Sequence, residues 1–367
     1  MIPFWMRRPV LIIRDLLASR DAPDLHALAR IDDAERFVWA ILPHAARTFS
    51  ACIALLPARS ALPAAVAYLY CRMLDTYEDL IADHRRREAS LRAFAARFDA
   101  GPQPLRAPAP VIEEAMDLDD RDRAHLLLVR RAELVDRVYL SFDAPTRRVV
   151  RDLVVAMAEG MCWSSEVFAT DGGVLLDEAG LTRYCRNVLG NPVVFSVRLM
   201  RLEHGDAPDV SPHELEDAMR VGEMVQLANI TRDVEKDLRR GIAYDASLRH
   251  DLGRDASAGD HALTERCRLV RERLLRMALE RAPSYGRIIE ALHLPRFSVA
   301  RASAVLMLLF TERYFRGCAR RVGLSGWDGP NSIVSLLRRT MATTVSRRRA
   351  AREIARVEAA FLAAARR

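Results

Sequence analysis

Residues 68–80 read YLYCRMLDTYEDL, an apolar helical run that ends in a cluster of acids. Tyr68, Arg72, Asp75 and Asp79 are spaced four, three and four apart, so they share one face of a helix. The flanking Ala64, Val66, Leu69, Cys71 and Leu74 are mainly apolar, and a helix apolar on most sides is buried. Its polar stripe is then expected to face an interior cavity. On spacing alone, an exposed last turn in which Arg72 pairs with Asp75 or Glu78 fits equally well. Buried carboxylates need partners, so the metal reading gains weight only from a second cluster.

Residues 226–241, QLANITRDVEKDLRRG, supply one. Gly222, Gln226, Asn229, Asp233 and Asp237 fall on one face of a predicted helix over 212–238, while Met224, Val225, Leu227 and Ile230 cover others. Buried amides cost free energy without partners. A helix-interior glycine costs roughly 1 kcal/mol against alanine. A cavity wall explains both, and so does a polar network in which Gly222 permits close packing. Two acidic faces brought opposite each other would make a cage for Mg²⁺, which takes oxygen ligands and shares them with phosphates. Arg72, Arg232, Arg239 and Arg240 stand beside the clusters as diphosphate donors.

Composition agrees with a mostly α-helical protein. The chain has 367 residues, half of them apolar, with a formal net charge of +7. Lys236 is the only lysine, so the basic charge is arginine. The charge is spread along the chain except at the C-terminus, which argues against nucleic acid as a partner. Six cysteines without a CxxC pair point to a reduced, cytoplasmic protein. No apolar run approaches the roughly 18 residues of a membrane span. Periodicity predicts helices over 26–56, 61–83, 87–99, 120–140, 145–169, 178–203, 212–238, 262–281, 283–320 and 331–365. Ser211 with Glu214 three residues on predicts a capping box, and Pro212 suits the first helical position. The basic final helix reads as a solvated surface or as a peripheral contact at the inner face of a membrane.

These motifs resemble the squalene/phytoene synthase family of head-to-head prenyl-diphosphate condensing enzymes, over roughly 40–320. YLYCRMLDTYEDL is similar to its first aspartate-rich motif, in a form closest to squalene synthases, and QLANITRDVEKDLRRG to its second. ARTFS (46–50), MAEGMCW (157–163) and YCRNVLGNPV (184–193) resemble further segments of the family. The resemblance implies an all-α, single-domain isoprenoid-synthase-type bundle around a central hydrophobic cavity. It would comprise an N-terminal segment 1–25, a catalytic domain 26–322 and a basic helical extension 323–367.

By the same resemblance, Asp75, Glu78, Asp79, Asn229, Asp233 and Asp237 would hold Mg²⁺. Arg47, Thr48, Arg72, Gln226, Asn229, Arg232, Arg239 and Arg240 would meet the diphosphates of the prenyl diphosphate substrates. Phe49, Gly160, Met161, Val188 and Gly222 would line the prenyl pocket. Tyr68 and Tyr184 would steer the carbocation or accept a proton, with Asp75, Asp79, Asp233 and Asp237 completing the catalytic set. The loop 241–261, carrying Tyr244, would act as a flap or be an ordinary surface loop.

The implied reaction is condensation of two farnesyl diphosphates through a cyclopropyl intermediate to a C30 hydrocarbon, by a monomer or weak dimer. The family pattern is broken at Leu80, Leu189, Pro192 and Val193, and the last two keep phytoene or dehydrosqualene synthase, presqualene diphosphate synthase and terpene cyclase open. A non-catalytic helical binding protein is the alternative of another class. LPRFSVARASAVL (294–306) only loosely resembles the NADPH-linked region, so NADPH is a candidate cofactor rather than an expectation.

Overall fold

The computed structural model describes residues 8, 10–12, 23–46, 48–99, 105–112, 118–175, 177–255, 260–324 and 332–366. Among them the secondary structure is helical, apart from one isolated parallel bridge between Val174 and Ala243. The helices are α1 (Leu25–Ala29), α2 (Ala34–Ala46), α3 (Thr48–Leu55), α4 (Ala58–Leu80), α5 (His84–Ala96), α6 (Asp120–Arg130), α7 (Ala132–Leu140) and α8 (Ala144–Thr170). They continue as α9 (Glu178–Cys185), α10 (Asn191–Glu203), α11 (Pro212–Arg239), α12 (His261–Leu279), α13 (Pro283–Ala291), α14 (Val299–Arg321), α15 (Ile333–Thr344) and α16 (Arg347–Ala365).

The chain divides into two compact units, Met1–Ser165 with Arg198–Asp209, and Glu166–Val197 with Val210–Arg367. In the first, α4 packs against α2, α3, α5, α6 and α7. Its small and apolar positions, including Ala65, Val66, Leu69, Tyr70, Met73 and Tyr77, are fully buried. Tyr70 meets Phe98 edge-on at 5.0 Å and Tyr139 at 5.9 Å. A polar network runs through this core. The Tyr70 hydroxyl donates to Asp136 Oδ1 (2.8 Å), Arg97 pairs with the other Asp136 oxygen, and Arg97 Nε donates to Ala107 O (2.9 Å). Every charge here is matched, as burial demands.

In the second unit, α11 packs against α12, α13, α14 and a π-helical turn at Arg186–Gly190. The predicted capping box is present at Ser211 and Glu214. Glu223, 2% exposed, is held between Arg186 (2.6 Å) and Arg281. The two C-terminal helices belong to this unit's core. Phe361 packs edge-on against Phe315 at 5.0 Å, and fully buried Glu312 takes both Arg356 Nη atoms at 2.6 and 2.8 Å.

Several long periodic stretches break where a side chain caps the backbone. The stretch 26–56 divides into α1, α2 and α3, with Asp24 and Asp33 accepting from the backbone at the first two starts. The stretch 120–140 breaks at Arg131, whose guanidinium bonds Ile31 O and Asp32 instead. Ser298 and Ser346 cap α14 and α16, dividing 283–320 and 331–365. None of the six cysteines is in a disulfide; five are buried and Cys71 is half-buried.

Candidate active site

The first acidic motif is the last two turns of α4, in the first unit. Arg72 Nη1 lies 3.1 Å from Asp75 Oδ2, and Arg72 Nη2 lies 3.4 Å from the Tyr68 hydroxyl. The expected stripe Tyr68–Arg72–Asp75 is therefore physically connected, and Phe49 stands 6.1 Å from Tyr68, ring to ring. Glu78 sits one residue off this line, 3.4 Å from the Ser164 hydroxyl. Ser164 is placed by α8 one turn past Gly160 and Met161, both buried, and is 3.0 Å from Met161 O. Arg47 and the side chain of Thr48 lie outside the described residues.

Two carboxylates of this motif are held away from their ionised forms, chiefly by burial. Burial pushes the Glu78 carboxyl up to about 8, aided by Asp75 and Asp79. Burial also raises Asp75, against the pull of Arg72. Two groups that the motif reading missed stand nearby. Arg121 on α6 bears on both Asp75 and His125, and His125 is held down to about 3 by burial and by Arg72 and Arg121. The Nε atoms of Arg72 and Arg121 and Nε2 of His125 are buried without a hydrogen-bond partner. A visible signal was the spacing of Arg121 and His125, four apart at the start of an apolar run.

The second motif occupies the last turns of α11, in the second unit. Arg232 Nε donates to Asp233 Oδ1 at 2.7 Å, and Arg232 Nη2 pairs with the other oxygen. Its guanidinium also lies 5.3 Å from the ring of Tyr314, whose buried hydroxyl has no partner. Burial and Asp233 push Asp237 up to about 7. Glu235 pairs instead with Arg271, off the stripe. Upstream, Asn229 Nδ2 donates to Gln226 Oε1 at 3.2 Å. Arg239 pairs with Asp255 at 3.2 Å, and both Arg239 and Arg240 are exposed.

Gly222 is accounted for by close packing rather than by an open wall. A Cβ there would fall 2.3 Å from Gly190 N and 2.4 Å from Gly190 Cα. The π-helical turn thus presses its backbone onto α11, with Val188 half-buried on the turn. The turn follows Tyr184, whose hydroxyl lies 3.1 Å from that of Tyr244; Phe168 completes an aromatic trio with them. The loop carrying Tyr244 is anchored. Leu175 N donates to Ala243 O (3.0 Å) and Ala243 N to Gly173 O (2.8 Å). Buried Asp251 binds Arg254 at 2.6 Å and Arg266 at 2.7 Å.

The two motifs follow one scheme. An arginine holds the leading aspartate, and a carboxylate within four residues is driven toward its protonated form. Among the described residues no three His, Cys, Asp or Glu side chains converge as a preformed metal cage. The donors nonetheless suit a hard divalent cation, being carboxylate oxygens, three of which (Asp75, Glu78 and Asp237) burial pushes toward the protonated form.

Comparison with known proteins places this scheme in a family. The squalene/phytoene synthase model matches residues 42–316, and the chain belongs to that family of prenyltransferase-type enzymes. A phytoene synthase from Rhodobacter capsulatus is 27% identical over 237 residues, 63% of this chain and 58% of the relative. The chain's match thus spans little more than half the length of that relative. Two solved structures of the squalene synthase TcSQS share the fold. The complex with E5700 has a TM-score of 0.63 at 16% identity, covering 92% of this chain and 99% of the other. The complex with BPH1237 has a TM-score of 0.65 at 17% identity, covering 91% and 99%. The all-helical isoprenoid-synthase fold expected from the sequence is the one found.

Proposed function

We propose that this chain is an Mg²⁺-dependent prenyltransferase that joins two farnesyl diphosphates head to head, through presqualene diphosphate, to squalene or a related C30 hydrocarbon. One observation carries the reading. Each acidic helix ends in buried carboxylates: burial, reinforced by neighbouring aspartates, lifts Glu78 to about 8 and Asp237 to about 7. Bound Mg²⁺ would favour their ionised forms and neutralise a departing diphosphate. Asp75, Glu78 and Asp79 would hold it at the first motif, and Asp233, Asp237 and the Asn229 amide at the second.

The arginines have separate tasks. Arg72 and Arg121 offer buried, unfilled Nε donors to diphosphate oxygens near the first motif. Arg232 positions Asp233 and is itself positioned by the Tyr314 ring. His125, kept neutral, adds no further positive charge beside Arg72 and Arg121. Tyr68 and Tyr184 present hydroxyls for proton acceptance, each already coupled to a second polar group.

Condensation of two geranylgeranyl diphosphates to phytoene is the second reading, favoured by the phytoene synthase relative. The test is incubation with farnesyl or geranylgeranyl diphosphate and Mg²⁺, with and without NADPH, and identification of the hydrocarbon. Asp75→Asn should lower pyrophosphate release by about a hundredfold or more, the scale of losing one group that stabilises developing charge. Wild-type protein that releases no pyrophosphate from either substrate would overturn the proposal.

A further inference from the structure

Residues 332–366 carry eight arginines against two glutamates, in a chain whose whole formal charge is +7. The fold uses some of that charge internally. Arg356 neutralises buried Glu312, Arg339 pairs with Glu353 at 3.2 Å, and Arg347 donates to Leu294 O at 2.6 Å. Arg338, Arg349 and Arg352 are exposed, and their guanidinium groups make no hydrogen bond or ion pair among the described residues. Together with Arg339, Ala342 and Glu353 they line an open groove of about 350 Å³ between α15 and α16.

An apolar rim accompanies the groove. Val334, Met341 and Val345 are 71%, 57% and 51% exposed. With Arg338 they fall four, three and four residues apart, on one stripe along α15 and into the turn that follows it. Phe297, 68% exposed, joins them, because the backbone bond from Ser298 N to Thr344 O (3.0 Å) holds its loop against that turn. Arg296 lies over the Phe297 ring at 5.9 Å. Large apolar side chains exposed beside unpaired arginines are costly in water and complementary to one environment. That environment is an anionic lipid surface, with acyl chains below and phosphodiesters at the level of the guanidiniums.

We infer that the α15–α16 edge docks this protein on anionic membranes, with Phe297, Met341 and Val345 entering the interface. A lipid phosphate would then sit in the groove between Arg338, Arg349 and Arg352. No helix of the described residues is long and apolar enough to cross a membrane, so the attachment is peripheral. The inference does not depend on the reaction proposed above.

The test is co-sedimentation of the full chain with vesicles of phosphatidylcholine alone or with about one-third phosphatidylglycerol. Binding should be strong only to the anionic vesicles and should weaken with salt. Arg338→Gln/Arg349→Gln/Arg352→Gln should reduce it roughly a hundredfold, taking about fivefold for each arginine near a charged surface. Phe297→Ser/Val345→Ser should weaken binding while keeping its salt dependence. Circular dichroism and melting temperature establish that each variant is folded. Equal binding to neutral and anionic vesicles, or unchanged binding by the triple variant, overturns the inference. So does binding of inorganic pyrophosphate, read calorimetrically and lost in the triple variant, without binding of vesicles.

Discussion

Glu78 and Asp237 share one predicament: each is a carboxylate that its surroundings prefer to keep protonated. Glu78 is raised from 4.5 to about 8 in the folded protein. Its favourable contribution is therefore complete below pH 4.5 and is lost as pH rises through about 8. Metal-free protein should lose melting temperature across that window, and Glu78→Gln should lose less of it. Added Mg²⁺ should reverse the trend above pH 7, because the cation binds the ionised form. Thermal melts from pH 5 to 8.5, with and without Mg²⁺, read both effects. A wild-type profile unchanged by Glu78→Gln would remove Glu78 from the account.

At the scale of elements, the contact between α11 and the π-helical turn is the sharpest constraint. Gly→Ala inside a helix ordinarily stabilises by roughly 1 kcal/mol. At Gly222 the new methyl would overlap the Gly190 backbone, so the sign inverts, to about 2 kcal/mol of destabilisation. Urea denaturation of Gly222→Ala measures it, and a stabilised variant would contradict the packing. Sequence periodicity showed that Gly222 was special but left open whether it faced a cavity or a neighbour, since both require a small residue. The acidic stripes were legible because Asp75, Asp79, Asp233 and Asp237 follow the helical repeat. Arg121 and His125 showed only their own four-residue spacing and Tyr314 showed nothing, because they act on Asp75, Arg72 and Arg232 from distant segments, and helical spacing is silent on such proximities. The helix breaks at Arg131 and Ser346 were hidden for another reason. Neither needs glycine or proline: one is a side chain reaching another loop and the other a serine cap within a basic run.

For the whole molecule, the C-terminal helices change where the chain's integrity resides. Read from sequence, residues 323–367 are an appendage; in the structure Phe361, Val357 and Ala350 are buried in the second unit. Arg356→Ala would leave Glu312, fully buried, without its guanidinium. Breaking a buried pair costs about 3–5 kcal/mol. The melting temperature should fall on the order of 10 °C for a unit of this size. Scanning calorimetry of the variant measures the fall, and a change within 2 °C would show that the pair contributes little to stability. The same helix thus serves the core on one side and, as inferred above, a membrane on the other.

The short bridge between Val174 and Ala243 makes the loop after the second acidic motif observable in time. Gly173, at φ 92°, lets its backbone come so close to Gly241 that any side chain there would strike a carbonyl at 2.1 Å. The amide protons of Leu175 and Ala243 are each engaged across that join. They can exchange with solvent only when the loop lifts. Deuterium uptake at those two amides is therefore a clock for the lifting of Tyr244, and ligands that slow it report that they hold the loop down.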